Sequence, residues 1–282
     1  MAKNKFFSTA ATPKLDDYKE HFAECLMMER KNGILQVRMH TNNGPLKWSP
    51  QVHHMLLEAW SVIGLDPENE VLILTSTDPY WIGEVDREAF AEWDAITDPD
   101  LRYNGLYRPT KSVENFIWGI DIPTISAING PGNIHFNFAL LCDITLCTPD
   151  FVIRDNHFEG GMVPGDSQAM LLQGLVGIKR ASYMMMMTDE IDAKTAMDWG
   201  IINEILPKDK LLPRAWKIAE KLMKQPRPVR RLTHQLTTRP WKRLIMDDFQ
   251  VHITSEMYSS ALLRSAHNFK FLKERGSEEK KK

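Results

Sequence analysis

Residues 129–168 read NGPGNIHFNFALLCDITLCTPDFVIRDNHFEGGMVPGDSQ, and most of the chain's suggestive chemistry lies there. Two histidines, His135 and His157, and one aspartate, Asp166, stand beside turn-forming glycines and prolines. The apolar runs between them predict a short buried helix over 136–141 and a strand over 144–147. Each polar residue therefore falls at an element boundary, where a loop can aim a side chain into a cleft. Histidine has the ordinary pKa nearest neutrality, so it can take and return a proton at working pH. An aspartate beside it can fix its tautomer and stabilise the imidazolium. No Ser or Cys stands in a nucleophile-elbow pattern, which leaves water as the nucleophile. On the residues alone an alternative stays open: loop or half-buried histidines, with Asp166 capping the helix that begins at Ser167-Gln168.

Working outward, 25–29 and 34–40 read as strands joined at Lys31-Asn32-Gly33, a hairpin turn. Pro50 suits the first turn of a helix over 51–63. The run VLILT at 71–75 is continuously apolar, as expected of a strand covered on both sides. A long helix is predicted over 100–120, then a second buried strand over 124–128. Beyond Asp166 the pattern gives helices over 168–175, 179–187 and 192–198 and a strand over 201–206. From Lys208 onward it is helical, with breaks at Pro226, Pro228 and Pro240. Strands alternating with helices, followed by a helical region, predict an α/β fold with a mostly parallel sheet.

The 282 residues suit one large domain with ample core. Lys and Arg number 35 against 37 Asp and Glu, a formal net charge of −2, so no global field favours nucleic acid or an anionic membrane. Cys25, Cys142 and Cys147 lack metal or redox spacing and read as reduced core residues of a cytoplasmic protein. No signal-peptide core and no membrane-length apolar run is present in the sequence. Residues 1–22 read as an N-terminal extension and 273–282 as a charged, disordered tail. The pair His53-His54 reads as a helix surface pair, and Glu84 as a loop salt-bridge partner. The basic stretch 227–243 reads as a solvated helix face or an assembly contact rather than a nucleic-acid site.

Four pieces stand in a suggestive order: VLILTSTDPYWIGEVD from Val71, IPTISAINGPGNIHFNFALLCDI from Ile122, MVPGD from Met162 and TAMDWGIINEIL from Thr195. This order resembles the crotonase (enoyl-CoA hydratase/isomerase) superfamily over roughly residues 24–270. The resemblance implies a spiral core of ββα units over 23–207 and a C-terminal helical region over 208–272. That region builds trimers in the family, so it implies a homotrimer or a dimer of trimers. The hydratases carry glycines and a catalytic glutamate after the NG dipeptide, where Ile134-His135-Phe136-Asn137 stand here. Their second glutamate falls on His157. Loss of both argues against ordinary hydration of an enoyl thioester.

The departures themselves resemble the superfamily's β-diketone hydrolase branch, matched by His135, His157, Asp166, Trp48 and Glu256. The implied activity is hydrolytic cleavage of a carbon–carbon bond in a cyclic β-diketone, giving a keto acid. His157, held by Asp166, would activate water; His135 would stabilise or protonate the departing enolate. Trp48 would orient a carbonyl, Glu256 would support a donor or water, and the backbone near Val85 would supply an oxyanion donor. Neither metal nor redox cofactor is implied, and the expected partner is a small diketone. The rival readings are an acyl-CoA hydratase or isomerase with rebuilt acid/base groups, and a catalytically silent binding protein on the same fold.

Overall fold

The structure is a computed structural model that describes residues 12–265 other than Asn133. Residues 1–11 of the expected extension, the end of the helical region and the expected charged tail lie outside the described residues. Residues 15–22 form the helix Leu15–His21 and its cap, and bury Tyr18 and Phe22 in the main core.

In chain order the strands are β1 (Leu26–Lys31), β2 (Ile34–Met39), β3 (Lys47–Trp48), β4 (Val71–Ser76), β5 (Glu84–Val85), β6 (Thr124–Ile128), β7 (Ile144–Cys147), β8 (Val152–Ile153), β9 (Ile191–Asp192) and β10 (Glu204–Ile205). The main sheet has the order β1-β2-β4-β6-β7-β10. Within this sheet, among the described residues, only β1 and β2 pair antiparallel, through a turn with Asn32 and Gly33 at φ +52° and +81°, the left-handed geometry that Asn-Gly favours. The other neighbours run parallel, with Leu72 opposite Leu35 and Thr124, and Ile125 opposite Ile144.

The VLILT run is covered on both sides, as its composition implies. Leu72 and Leu74 enter the larger core cluster, while Val71 and Ile73 enter a second one with Ile34, Ile125 and Leu146. That second face is closed by Leu211, Ala215 and Ile218 of the helix Lys208–Met223. The buried Gln36 on the same strand set is satisfied there by an indole N–H from Trp216 at 2.8 Å.

The expected long helix over 100–120 is broken. It forms short pieces at Pro99–Arg102, Tyr103–Tyr107, Arg108–Thr110 and Ser112–Gly119, the second a π-helical turn. Pro109 has no N–H for an α-helical ladder, and a Cβ on Gly105 would lie 2.5 Å from Trp93 Nε1. An additional helix, Arg87–Asp94, is capped by the Asp86 carboxylate, which accepts from the Ala89 amide at 3.0 Å.

Candidate active site

Six segments converge on a cavity of about 430 Å³. Its lining combines an apolar wall (Phe90, Trp93, Val113, Phe138, Phe249, Ile253) with the polar groups His53, His135, Asn137, His157, Asp166 and Glu256. Trp48 and Val85 also line it, brought side by side by the parallel pairing of β3 and β5. Glu84 on β5 pairs with Lys47 at 3.4 Å and so belongs to a loop ion pair, as its position suggested.

His135 follows β6 and adopts φ +52°, an uncommon conformation for a side chain of its size. The bend stacks its ring on Trp48, with centroids 3.7 Å apart and planes 22° apart. His157 lies beyond β8, its ring 6.2 Å from that of His135 and nearly perpendicular to it. Asp166 precedes Ser167, which has φ +83°, and the helix Gln168–Val176. Glu256 comes from the helix Arg239–Ser265, which presses on the turn before Asp166. A Cβ at Gly165 would sit 2.2 Å from the His252 carbonyl oxygen and 2.6 Å from Glu256 Cβ. Only a glycine lets that helix come so close.

The pairing differs from the expected one. Asp166 was to fold onto His157; instead Asp155 Oδ1 lies 2.9 Å from His157 Nδ1, and Asp166 Oδ2 lies 3.1 Å from His135 Nδ1. The reason is local: Asp155 Oδ1 also accepts the His157 backbone N–H at 2.9 Å, a tight turn that draws carboxylate and imidazole together. The Asp166–His135 contact is close but not aligned as a hydrogen bond, and both Asp166 carboxylate oxygens are buried without a hydrogen-bond partner among the described atoms. The Gln168 backbone N–H at the start of the next helix still helps hold the Asp166 pKa down, without a well-aligned capping hydrogen bond.

Two further expectations change. Trp48 Nε1–H donates to His53 Nε2 at 3.1 Å and is thereby engaged, so it does not offer that proton to a carbonyl. His53 is not a surface residue: it faces the cavity, edge-on to both Trp48 and His135. One signal was available for it. Ser49 caps the helix Pro50–Leu65 through the Val52 amide, which places His53 in the first turn beside Trp48. Asp155, Gln168 and Asn137 were also missed, although the Asp155-Asn156-His157 spacing of a side-chain turn was legible.

The electrostatics separate the two imidazoles. Burial alone would depress His157, but Asp166, the Asp155 hydrogen bond and charge, and Glu256 outweigh it and raise its pKa to about 10. Burial holds His135 well below the ordinary value, with His53 and His157 adding to the effect. Burial, then the neighbouring His54 and His157, takes His53 down to about 3. Burial lifts Asp166 to about 6 against the pull of His157, and burial with Asp166 lifts Glu256 to about 8. At neutral pH the cavity thus holds an imidazolium at His157, neutral rings at His135 and His53, and a carboxylic acid at Glu256. Asp155, His157 and Asp166 also bring donor atoms within 4.8 Å of one another, and the Asp155–His157 hydrogen bond already engages two of the three.

Comparison with known proteins places this geometry. The family model for enoyl-CoA hydratase/isomerase matches residues 29–265. A beta-diketone hydrolase from the cyanobacterium Anabaena sp. PCC 7120, solved bound to (S)-3-oxocyclohexyl acetic acid, superposes with a TM-score of 0.82 at 32% identity, covering 88% of this chain and 98% of that one. Carnitinyl-CoA dehydratase of Citrobacter koseri is 25% identical over 213 residues, 72% of this chain and 79% of the relative. The fatty acid oxidation complex subunit alpha of Shewanella frigidimarina is 32% identical over 116 residues, 39% of this chain, and the match spans only 16% of that longer protein.

Proposed function

The chain belongs to the enoyl-CoA hydratase/isomerase family, and from that premise we propose that it catalyses hydrolytic cleavage of a carbon–carbon bond in a cyclic β-diketone. The observation that carries this reading is the pair of imidazoles, ring centres 6.2 Å apart, one raised by the buried carboxylates around it and the other held low by burial and its histidine neighbours. One ring can store the proton taken from water, while the other stays neutral as a hydrogen-bond donor. Similarity to the beta-diketone hydrolase supports the same reading. Its bound acid carries a ketone and a carboxylate, the two groups that cleavage of a β-diketone leaves.

The neutral form of His157 takes a proton as water oxygen attacks one carbonyl carbon. The resulting alkoxide collapses to a carboxylic acid, and the bond to the central carbon breaks. That electron pair becomes the enolate of the second carbonyl. A proton on His135 facing the cavity donates to the enolate oxygen, where charge grows only as the bond breaks, so it stabilises the transition state more than the ground state. His157, now protonated, or the Glu256 carboxylic acid returns a proton to carbon, and a keto acid leaves. Asp155 and Asp166 stabilise the imidazolium midway.

One observation favours a second reading. Asp166 and Glu256, near 6 and 8, form an acid/base carboxylate pair of the kind that hydration of an enoyl thioester uses. The deciding experiment incubates the protein with a panel of cyclic 1,3-diketones and, separately, with an enoyl-CoA, with mass detection. A diketone product heavier by one water is expected. Hydration of the thioester with every diketone untouched would overturn the hydrolase reading.

A further inference from the structure

Gln168 is fully buried, and its side chain has two roles. Its Oε1 accepts the Phe136 N–H at 2.9 Å, the amide directly after the left-handed His135. Its Nε2 reaches Asp155 Oδ2 at 3.2 Å. The other Asp155 oxygen holds both the backbone N–H and Nδ1 of His157. A chain of buried hydrogen bonds thus runs from the backbone at His135, through Gln168 and Asp155, to the ring of His157. Asn137 adds a strand to it by donating to the Asp166 carbonyl at 3.2 Å.

We propose that Asp155 is the positioning residue of His157, and that Gln168 ties it to the His135 backbone so that one buried hub aligns both imidazoles. Asp166 then acts across the cavity by its charge. The hub fixes a proton on His157 Nδ1 and leaves Nε2 as the atom that meets water. Its kinetic consequence rests on the hydrolytic reading above; its geometry does not.

A purely structural role for Asp155 would need only the turn to the His157 amide. Asp155→Asn separates the two roles, because the asparagine oxygen still accepts that amide and can still accept Nδ1–H, while the carboxylate charge and the Oδ2 acceptor for Gln168 are lost. His157 is faced by Asp155 from its own turn, Asp166 from the start of the next helix, Glu256 from the helix Arg239–Ser265, and the rings of His135 and His53. The other four groups are unchanged in the variant, so a shift in His157 titration reports Asp155 alone.

The first measurement needs no substrate. Nitrogen-15 NMR of the histidine rings is expected to show the His157 midpoint falling by about one pH unit or more in Asp155→Asn, the size of shift one adjacent opposite charge produces. The second uses the diketone substrate: kcat is expected to fall on the order of 10²–10⁴-fold, as for a misoriented catalytic histidine, with KM changing less than about threefold. Gln168→Glu keeps an acceptor for Phe136 N–H but faces Asp155 with a second carboxyl, and is expected to lower kcat and, because a buried carboxyl pair is costly, the melting midpoint as well. An unmoved His157 midpoint in folded Asp155→Asn would overturn the hub. A moved midpoint with wild-type kcat would overturn the positioning role in turnover, leaving Asp155 only a charge on the ring. If wild-type protein cleaves no diketone, the hydrolytic reading fails while the NMR result still decides the hub.

Discussion

His135 and His157 sit in one cavity but differ in charge, so their removal has different consequences. His157→Ala removes the base, and turnover is expected to nearly vanish while diketone binding, followed by calorimetry, persists. His135→Ala removes one donor to a developing enolate, a loss of about 2.7–4 kcal/mol for contacts of this type, so a measurable residual kcat is expected. Wild-type rates in both variants would refute the mechanism. The pH profile follows from the direction of the His157 shift. With its pKa raised to about 10, the neutral base is a minor species at neutral pH and grows as pH rises, so kcat/KM should climb on the alkaline side. Asp166→Asn removes a charge that raises that pKa and should move the limb to lower pH. Sequence alone placed both histidines correctly at element boundaries but mispaired the carboxylates. Nine residues of turn between His157 and Asp166 carry no distance information, whereas Asp155, two residues away, is constrained by its own backbone contact.

At the scale of elements, the cavity is closed by one tight contact. Gly165→Ala would press a methyl group against the His252 carbonyl and the Glu256 side chain, so the helix Arg239–Ser265 must move. Overpacking of this kind costs typically about 1–3 kcal/mol. A lower melting midpoint is expected together with a raised KM, because the moved helix carries Phe249, Ile253 and Glu256 of the lining. A variant with unchanged melting and kinetics would show that the contact relaxes freely. The sheet was the most legible part of the chain, since β4 opens on a continuous apolar run and β6 is a short strand buried along its whole length. The segment from Arg87 to Gly119 was the least legible. The apolar spacing over 100–120 reads as one helix, but Pro109 and the Gly105–Trp93 contact are backbone and tertiary constraints that periodicity does not report. The helix at Arg87–Asp94 was missed for the opposite reason: its signal is a cap, not a stripe.

For the whole molecule, the basic stretch after Pro226 turns out to be internally engaged. Arg230 pairs with Glu70, Arg231 with Asp121, and Arg227 lies 3.1 Å from Glu70. The helices Arg227–Thr237 and Arg239–Ser265 expose Leu232, Leu236, Met246, Val251 and Tyr258, each more than half exposed. Large apolar side chains along neighbouring helices suit contact with further copies of the chain, in line with the trimers of the family resemblance. We propose a trimer or a dimer of trimers, and sedimentation at micromolar concentration is expected to show it; a monomer would refute it. The close approach at Gly165 also bears on how the protein is made. A chain emerges from the ribosome N-terminus first, and its earlier parts can fold before the later ones exist. The sheet, both histidines and Asp166 can all be in place while the wall bearing Glu256 is still unsynthesised. Until that helix docks, the cavity stands open to water along one side, and the burial that raises Asp166 is incomplete. Chemical competence therefore arrives late in translation: a nascent chain halted before residue 239 lacks Glu256 and the apolar wall of Phe249 and Ile253 that close the cavity.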